Sequence, residues 1–271
     1  MLYSPILSFV RLIFFFFWTI ICSTVQCFFI FLPNFFLCII PKFYFKGLIF
    51  FFGIKVSYEG RPKSKNTLFV SNHTSYLDIL ILGAKLDGLF IAKSEIKGWP
   101  FINKLAKLRK TIFINREKKV NAKKQIMMIN NYLINGFNLI LFPEGTSNDG
   151  HRVLPFKSSL FAVIEENRND NFFVQPISIS YVGMDGLPLN RIFKPFFAWY
   201  GDMDLLPHVW KFLGLGSSEI IVTHHKPIPF KQFESRKIFS EHCFNIIDKK
   251  VSSDFINLKK ISFDGYKIYK H

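Results

Sequence analysis

Hydrophobic positions fall into three regimes along the chain. Residues 12–32, LIFFFFWTIICSTVQCFFIFL, carry no charge. As a helix rising about 1.5 Å per residue this run spans about 31 Å, the thickness of a bilayer's hydrocarbon core, and it predicts one membrane-spanning helix. It exceeds the apolar core of a secretory signal peptide, and no small-residue cleavage site follows it. From 35 to 54 the apolar character continues, but Pro41, Lys42 and Lys46 interrupt it. That pattern predicts a segment lying in the membrane interface with its lysines at headgroup level. Beyond residue 60, short apolar runs alternate with periodic ones, as in a soluble domain.

In that third regime TLFVS (67–71) reads as a buried strand and 75–86 as a helix, with Asn72, Thr74 or Ser75 as its cap. LFIA (89–92) and TIFIN (111–115) are β-rich, and FINKLAKL between them is a short helix opened by Pro100. Residues 118–135 place Ile126, Ile129 and Leu133 on one helical face, ended by Gly136. FNLILF (137–142) is a strand halted by Pro143, SSLFAVIEE (158–166) is helical, FFVQPISISYV (172–182) and EIIVTHH (219–225) are strands, and 232–250 is a final helix. The alternation predicts an α/β fold: a single mixed, largely buried sheet flanked by helices, preceded by the membrane helix and interfacial segment. The boundaries implied are a membrane anchor over 1–58 and a catalytic domain over 59–271.

Charge changes the picture in one place. Of 35 basic residues, 27 are Lys, and Phe also numbers 35, a bias that A- and T-rich codons produce without selection for function. The net charge of +16 is therefore less informative than its distribution. Between Lys93 and Lys124 stand eleven Lys or Arg and two acids, Glu95 and Glu117, a stretch suited to anions. Lys42, Lys46, Lys55, Arg61 and Lys63 follow the predicted span and only Arg11 precedes it, which places the domain on the cytoplasmic side of the inner membrane. Cys22, Cys27, Cys38 and Cys243 show no disulfide framework. No nucleic-acid motif accompanies the charge, no Gly-x-Ser-x-Gly elbow marks a serine hydrolase, and adjacent His224 and His225 on a strand point to opposite faces, a poor metal pair.

Candidate chemistry sits in four stretches. In SNHTSYLD, His73 and Asp78 are five positions apart, about 140° around a helix, so they meet only if His73 precedes the helix and Asp78 lies in its first turns. A carboxylate behind a His suits general-base catalysis, and the same spacing also suits a helix start with Asp78 favoured by the dipole. LILFPEGTSNDG (139–150) ends a strand in a tight turn at Glu144, Gly145 and Thr146 whose N–H groups and hydroxyl suit an anion, or make an ordinary turn. Arg116 follows the TIFIN strand, and Pro176 inside VQPISISY implies an edge, bulge or bend.

These four stretches, in this order over residues 72–177, resemble the glycerophospholipid acyltransferase family, whose members acylate lysophospholipids such as 1-acylglycerol 3-phosphate. The resemblance implies that His73 is the general base with Asp78 orienting it, and that Arg116 contacts the acceptor's phosphate or head group. It implies that Glu144, Gly145 and Thr146 position the glycerol phosphate end, that Pro176 shapes the acyl pocket, and that Lys93 lies near the substrate. Many members continue the third block with Arg-Ser, where this chain has Ser147-Asn148; Arg152 or Lys157 is then the replacement for the missing cation. GTSNDG, VLPFKSSLF and AWYGDMDLLPHVW are similar to a subgroup that includes lyso-ornithine lipid acyltransferases. The expected reaction moves an acyl group from acyl-CoA or acyl-carrier protein to the sn-2 hydroxyl of 1-acyl-sn-glycerol 3-phosphate. Lyso-ornithine lipid is the alternative acceptor and an inactive lipid-binding scaffold the non-enzyme alternative. No metal, cofactor or nucleic acid is implied; the partners are the lysolipid, the thioester donor and membrane lipids.

Overall fold

A computed structural model describes residues 3–29, 34–93, 98, 103, 111–114, 122–166 and 171–268. Its described strands are β1 (Ile54–Glu59), β2 (Thr67–Ser71), β3 (Leu89–Lys93), β4 (Ile112–Ile114), β5 (Leu139–Leu141), β6 (Phe173–Met184), β7 (Leu187–Pro188), β8 (Ser218–His224) and β9 (Ile228–Pro229). They form one mixed sheet in the order β1-β8-β6-β2-β5-β3-β4, with β7 and β9 short additions to β6. The run β6-β2-β5-β3-β4 is parallel, whereas β8 is antiparallel to β6. The helices are α1 (Pro5–Phe29), α2 (Asn34–Phe51), α3 (Leu77–Lys85), α4 (Ala122–Ile134), α5 (Ala162–Glu166), α6 (Leu205–Leu213) and α7 (Arg236–Ile268).

Period-two alternation sends strand side chains to two separate cores. Phe69, Ile140, Ile177, Ile179 and Tyr181 pack with α2, α3 and α6. Leu68, Val70, Leu139, Leu141 and Val174 pack with α4, α5 and α7 on the other face. This double coverage explains why β2 and β5 read as unbroken apolar runs. Val70 is in register with Leu141, so the loops leaving β2 and β5, about 70 residues apart in sequence, emerge side by side. The carboxyl ends of parallel strands are the usual place for an α/β site.

The N-terminal region holds the expected apolar helix and adds contacts to the domain. α1 is long and apolar enough to cross a membrane, yet its first half is fastened to the domain. Ser4 N–H donates to Gly214 O (2.8 Å), Ser8 Oγ to Trp210 O, and the Arg11 guanidinium to the carbonyls of Leu213, Leu215 and Gly216, capping the end of α6. The amphipathicity of α1 is inverted: Ser8, Thr19, Cys22 and Gln26 face inward while Ile6, Phe9, Phe16, Phe17 and Phe28 are exposed. Burying small polar groups while displaying Phe is the pattern of a helix suited to lipid surroundings, and α1 is a candidate membrane helix.

The stretch expected to lie in the interface is the helix α2, antiparallel to α1 through Trp18–Tyr44 and Phe14–Phe51 contacts. Its final turns belong to the core: Phe45, Leu48 and Phe52 are buried. A Cβ on Gly83 would sit 2.6 Å from Phe45, so α2 and α3 meet at a contact only glycine permits. The boundary read at residue 58 falls inside β1, which pairs with β8 along its whole length, so the sheet already begins at Ile54. One side of α2 is thus buried in the domain while Ile39, Phe43 and Phe50 on its other side stay exposed.

Pro176 lies in an interior strand, at a change of pairing partner. Below it β6 pairs with β9, and from Ile177 onward with β8, so the missing N–H falls where the neighbour changes. The two histidines also go to opposite faces. His224 lies against Glu59 O, and His225 Nε2 is 2.7 Å from Ser178 Oγ under α7. Burial, followed by the charge of Lys250, pushes His225 down to about 4. Because the unfolded imidazole titrates near 6.5, the unfolded chain takes up the proton first, and stability is lost as pH falls from 6.5 toward 4. Between pH 7.5 and 4.5 the wild type is expected to lose about 2 kcal/mol more than His225→Gln, read from urea midpoints in detergent. Parallel pH profiles for the two proteins would refute this.

Candidate active site

His73 stands four residues before the first residue of α3, and Asp78 is that helix's second residue. Folded so, the two meet: His73 Nδ1 lies 2.9 Å from Asp78 Oδ2. Asp78 is fully buried and the His73 ring partly accessible, at 18%. The carboxylate accepts far more than the imidazole. Oδ2 also takes the N–H groups of Thr74 (2.7 Å) and Ser75 (2.9 Å), and Oδ1 takes the Tyr181 hydroxyl (2.6 Å). The expected side-chain caps at Asn72, Thr74 or Ser75 are therefore replaced. The helix begins at Tyr76 with no side-chain cap of its own, and Asp78 reaches backward to the loop N–H groups. Asn72 instead bonds both ways to Ile179 on β6.

These contacts define the imidazole's chemistry. With a carboxylate at Nδ1, that nitrogen carries the proton and Nε2 is left as the basic atom of a partly accessible ring. Tyr181 is held as a donor, because burial and then the neighbouring Asp78 charge raise its phenol well above the usual range. Phe142 stacks on the His73 ring at 4.1 Å and 16°.

The turn after β5 holds the backbone of the same residue. Gly145, at φ +78°, closes the turn with its N–H on Phe142 O. Glu144 points inward, 2% exposed. Its Oε1 accepts His73 N–H (2.7 Å), and its Oε2 accepts the Asn148 amide (2.5 Å) and Leu154 N–H (3.0 Å). Asn148 N–H then donates to His73 O, so the peptide groups flanking the His73 Cα are gripped by one turn. Burial pushes the Glu144 carboxyl up to about 7, against the three N–H groups that favour its charged form. Both oxygens accept hydrogen bonds from within the protein, and Oε1 ties Glu144 to the His73 backbone. Thr146 is exposed beside it.

The other expected residues scatter. Arg116 lies outside the described residues, as does most of the basic stretch 93–124; Lys93 ends β3. Arg152 is exposed and lines a cleft with Thr74, Gly150, Lys194, Tyr181 and Phe255, with free space of about 10 Å³, enough for one water. Lys157 is exposed, its N–H bound to Pro143 O, and does not line that cleft. Pro176 lies on the α7 face of β6 with Val174 and Ser178, opposite Tyr181, by strand alternation.

Three contributors escaped the sequence reading. Tyr181 had a readable signal: it follows Ile177 and Ile179 at period two, and a buried phenol on an apolar face requires a partner. Asn148 and Lys194 had none. Lys194 is buried with Nζ 2.6 Å from Gly150 O and 3.5 Å above the Phe255 ring, contacts that only the folded chain brings about.

Comparison with known proteins places this geometry. The acyltransferase family profile matches residues 53–180. A lyso-ornithine lipid O-acyltransferase of Rhizobium meliloti is 34% identical over 79% of this chain and 75% of its own, and one of Brucella abortus 37% identical over 70% and 73%. A 1-acyl-sn-glycerol-3-phosphate acyltransferase of Neisseria gonorrhoeae is 37% identical over 40% and 43%. The crystal structure of the 1-acyl-sn-glycerophosphate acyltransferase PlsC of Thermotoga maritima matches with a TM-score of 0.67 at 21% identity, over 91% of this chain and 95% of that one. That likeness is one of fold.

Proposed function

This chain belongs to the acyltransferase family, and from that premise we propose that it transfers a fatty acyl group from acyl-CoA or acyl-carrier protein to the hydroxyl of lyso-ornithine lipid, with His73 as general base. His73 Nε2 takes the proton of the acceptor hydroxyl as the oxygen attacks the thioester carbonyl. Asp78 holds the Nδ1 proton and stabilises the imidazolium, as Tyr181, Thr74 and Ser75 keep the carboxylate in place. The tetrahedral intermediate expels the thiolate, which recovers the proton from His73. No covalent acyl-enzyme, metal or cofactor is needed for this sequence of steps.

One observation carries the choice of acceptor: likeness to the lyso-ornithine enzymes extends over 70% or more of the chain, through the stretches that follow the four shared blocks. Ser147 and Asn148 support it, since Asn148 is turned inward to Glu144 and no Arg follows Thr146 to grip a phosphate monoester. Lysophosphatidate is the second reading, supported by the 37% identity to the Neisseria gonorrhoeae enzyme over 40% of this chain. The outward Phe and Ile side chains of α1 seat the enzyme in the membrane that holds its acceptor, with the domain on the cytoplasmic face.

The test is kcat/KM for the detergent-purified protein with each acceptor, using acyl-CoA and acyl-carrier protein in separate assays. Lyso-ornithine lipid is expected to exceed lysophosphatidate at least about tenfold, the discrimination one lost charge-assisted hydrogen bond produces. The reverse preference would establish the lysophosphatidate reading.

A further inference from the structure

A second basic site lies at the β1 edge of the sheet, three strands away from β2, the strand that leads to His73. A groove of about 790 Å³ is lined by Lys42 and Lys46 of α2, Lys85 at the end of α3, Arg61 beyond β1, and Tyr58 at its floor. One acid, Asp87, lines it and pairs with Lys42 at 2.7 Å. Four cations against one acid leave a net charge of +3. Lys85 Nζ lies 4.6 Å above the Tyr58 ring, and neither Lys46 nor Arg61 has an ion-pair partner among the described residues.

The position of the groove on α2 says what meets it. At 100° per residue, the exposed Ile39, Phe43 and Phe50 (46%, 57% and 77%) fall within about 40° of one another. Lys46 and Lys42 follow at about 20° and 60° to one side of Ile39, while Phe45, Leu48 and Phe52 occupy the far, buried side. The lysines thus mark the seam between the lipid-facing stripe and the domain, and Arg61 and Lys85 close the groove from the domain side. A cationic groove with an apolar stripe along one rim matches the cross-section of a phospholipid, phosphate inward and chains outward.

We propose that this groove binds the phosphate of an anionic phospholipid headgroup from the surrounding membrane, separately from the acceptor. The proposal rests on the membrane attachment of α1 and α2 and is independent of the acyl-transfer reading. It is tested by thermal unfolding of the full chain in detergent micelles containing phosphatidylglycerol, phosphatidylcholine or neither. Lys46→Gln/Arg61→Gln removes two exposed cations of the groove, and Lys231→Gln/Lys237→Gln removes two exposed cations elsewhere. With phosphatidylglycerol at about a hundredfold excess over its Kd, the midpoint of the wild type and of the remote pair is expected to rise by about 5 °C. The groove pair should start from the same lipid-free midpoint and show no rise, and phosphatidylcholine should move none of them. An equal rise in all three proteins, or its loss in both variants, would overturn the site. Inorganic phosphate alone reproducing the full rise would overturn the lipid assignment in favour of a soluble anion.

Discussion

Asp78→Asn is expected to lower acyl transfer about 10⁴-fold in a protein that still folds, the size of loss seen when a buried carboxylate behind a catalytic His becomes an amide. The carboxylate accepts four hydrogen bonds and has no access to water. An amide keeps the shape but presents an NH₂ group to donors. Turned toward Tyr181, it opposes the hydroxyl; turned toward the loop, it opposes His73, Thr74 and Ser75. In the second orientation the imidazole tautomer reverses and the base is lost. The cost in stability is about 1–3 kcal/mol, enough to lower the unfolding midpoint without emptying the folded state. His73→Ala should match the loss in kcat with little effect on stability, because that ring is partly exposed. The diagnostic is the pair together: both near background turnover, both folded, both still holding lysolipid. Activity within tenfold of wild type in either would remove the general-base reading. Unchanged wild-type and mutant lipid binding with no turnover in any protein would favour the scaffold.

Glu144→Ala is expected to act differently, lowering stability and turnover together. It strands three N–H donors, on His73, Asn148 and Leu154, around a carboxylate site 2% exposed. At about 1–3 kcal/mol for each unsatisfied group, partly offset by relaxation, the loss is about 4 kcal/mol. The His73 backbone then loses its anchor, and displacement of the base by about 1 Å costs about 10²-fold in rate. Glu144→Gln tests the charge. The folded carboxyl titrates near 7 and the unfolded one near 4.5. Between those values the folded chain holds the proton more tightly, so this group's contribution to stability falls as pH rises from 4.5 through 7. The margin of wild type over Glu144→Gln should therefore shrink by about 2 kcal/mol between pH 5 and pH 8, read from denaturant midpoints. A constant margin would show that Glu144 is ionised throughout.

Particular residues show where reading the sequence succeeded. TLFVS and FNLILF were legible as strands because both of their faces are buried, and a strand covered twice is apolar at every position. The helix after His73 was legible to within two residues, since Leu77, Ile81 and Ala84 return on one face. β1 was hidden although IKVSYE alternates apolar and polar at every step, because it follows directly on an apolar run that masks its start. The burial of one side of α2 in the core was not legible, because hydrophobicity along one helix does not say which apolar stripe faces protein.

At the site, the residue types and their order were visible, and with them the family. What the sequence by itself determined was local: where strands and helices begin, that His73 precedes a helix, and that Glu144 and Gly145 occupy a turn. These follow from backbone preferences and side-chain periodicity, which act over a few residues. Only the tertiary structure decided that β2 and β5 would be parallel neighbours, bringing Glu144 to the His73 backbone, and that Tyr181 would reach Asp78 across the core. It also buried the Glu144 side chain and set Pro176 on the face of β6 opposite Tyr181. Those outcomes depend on strand register and on which buried polar group finds which partner, and both are properties of contacts between residues about 70 to 100 positions apart.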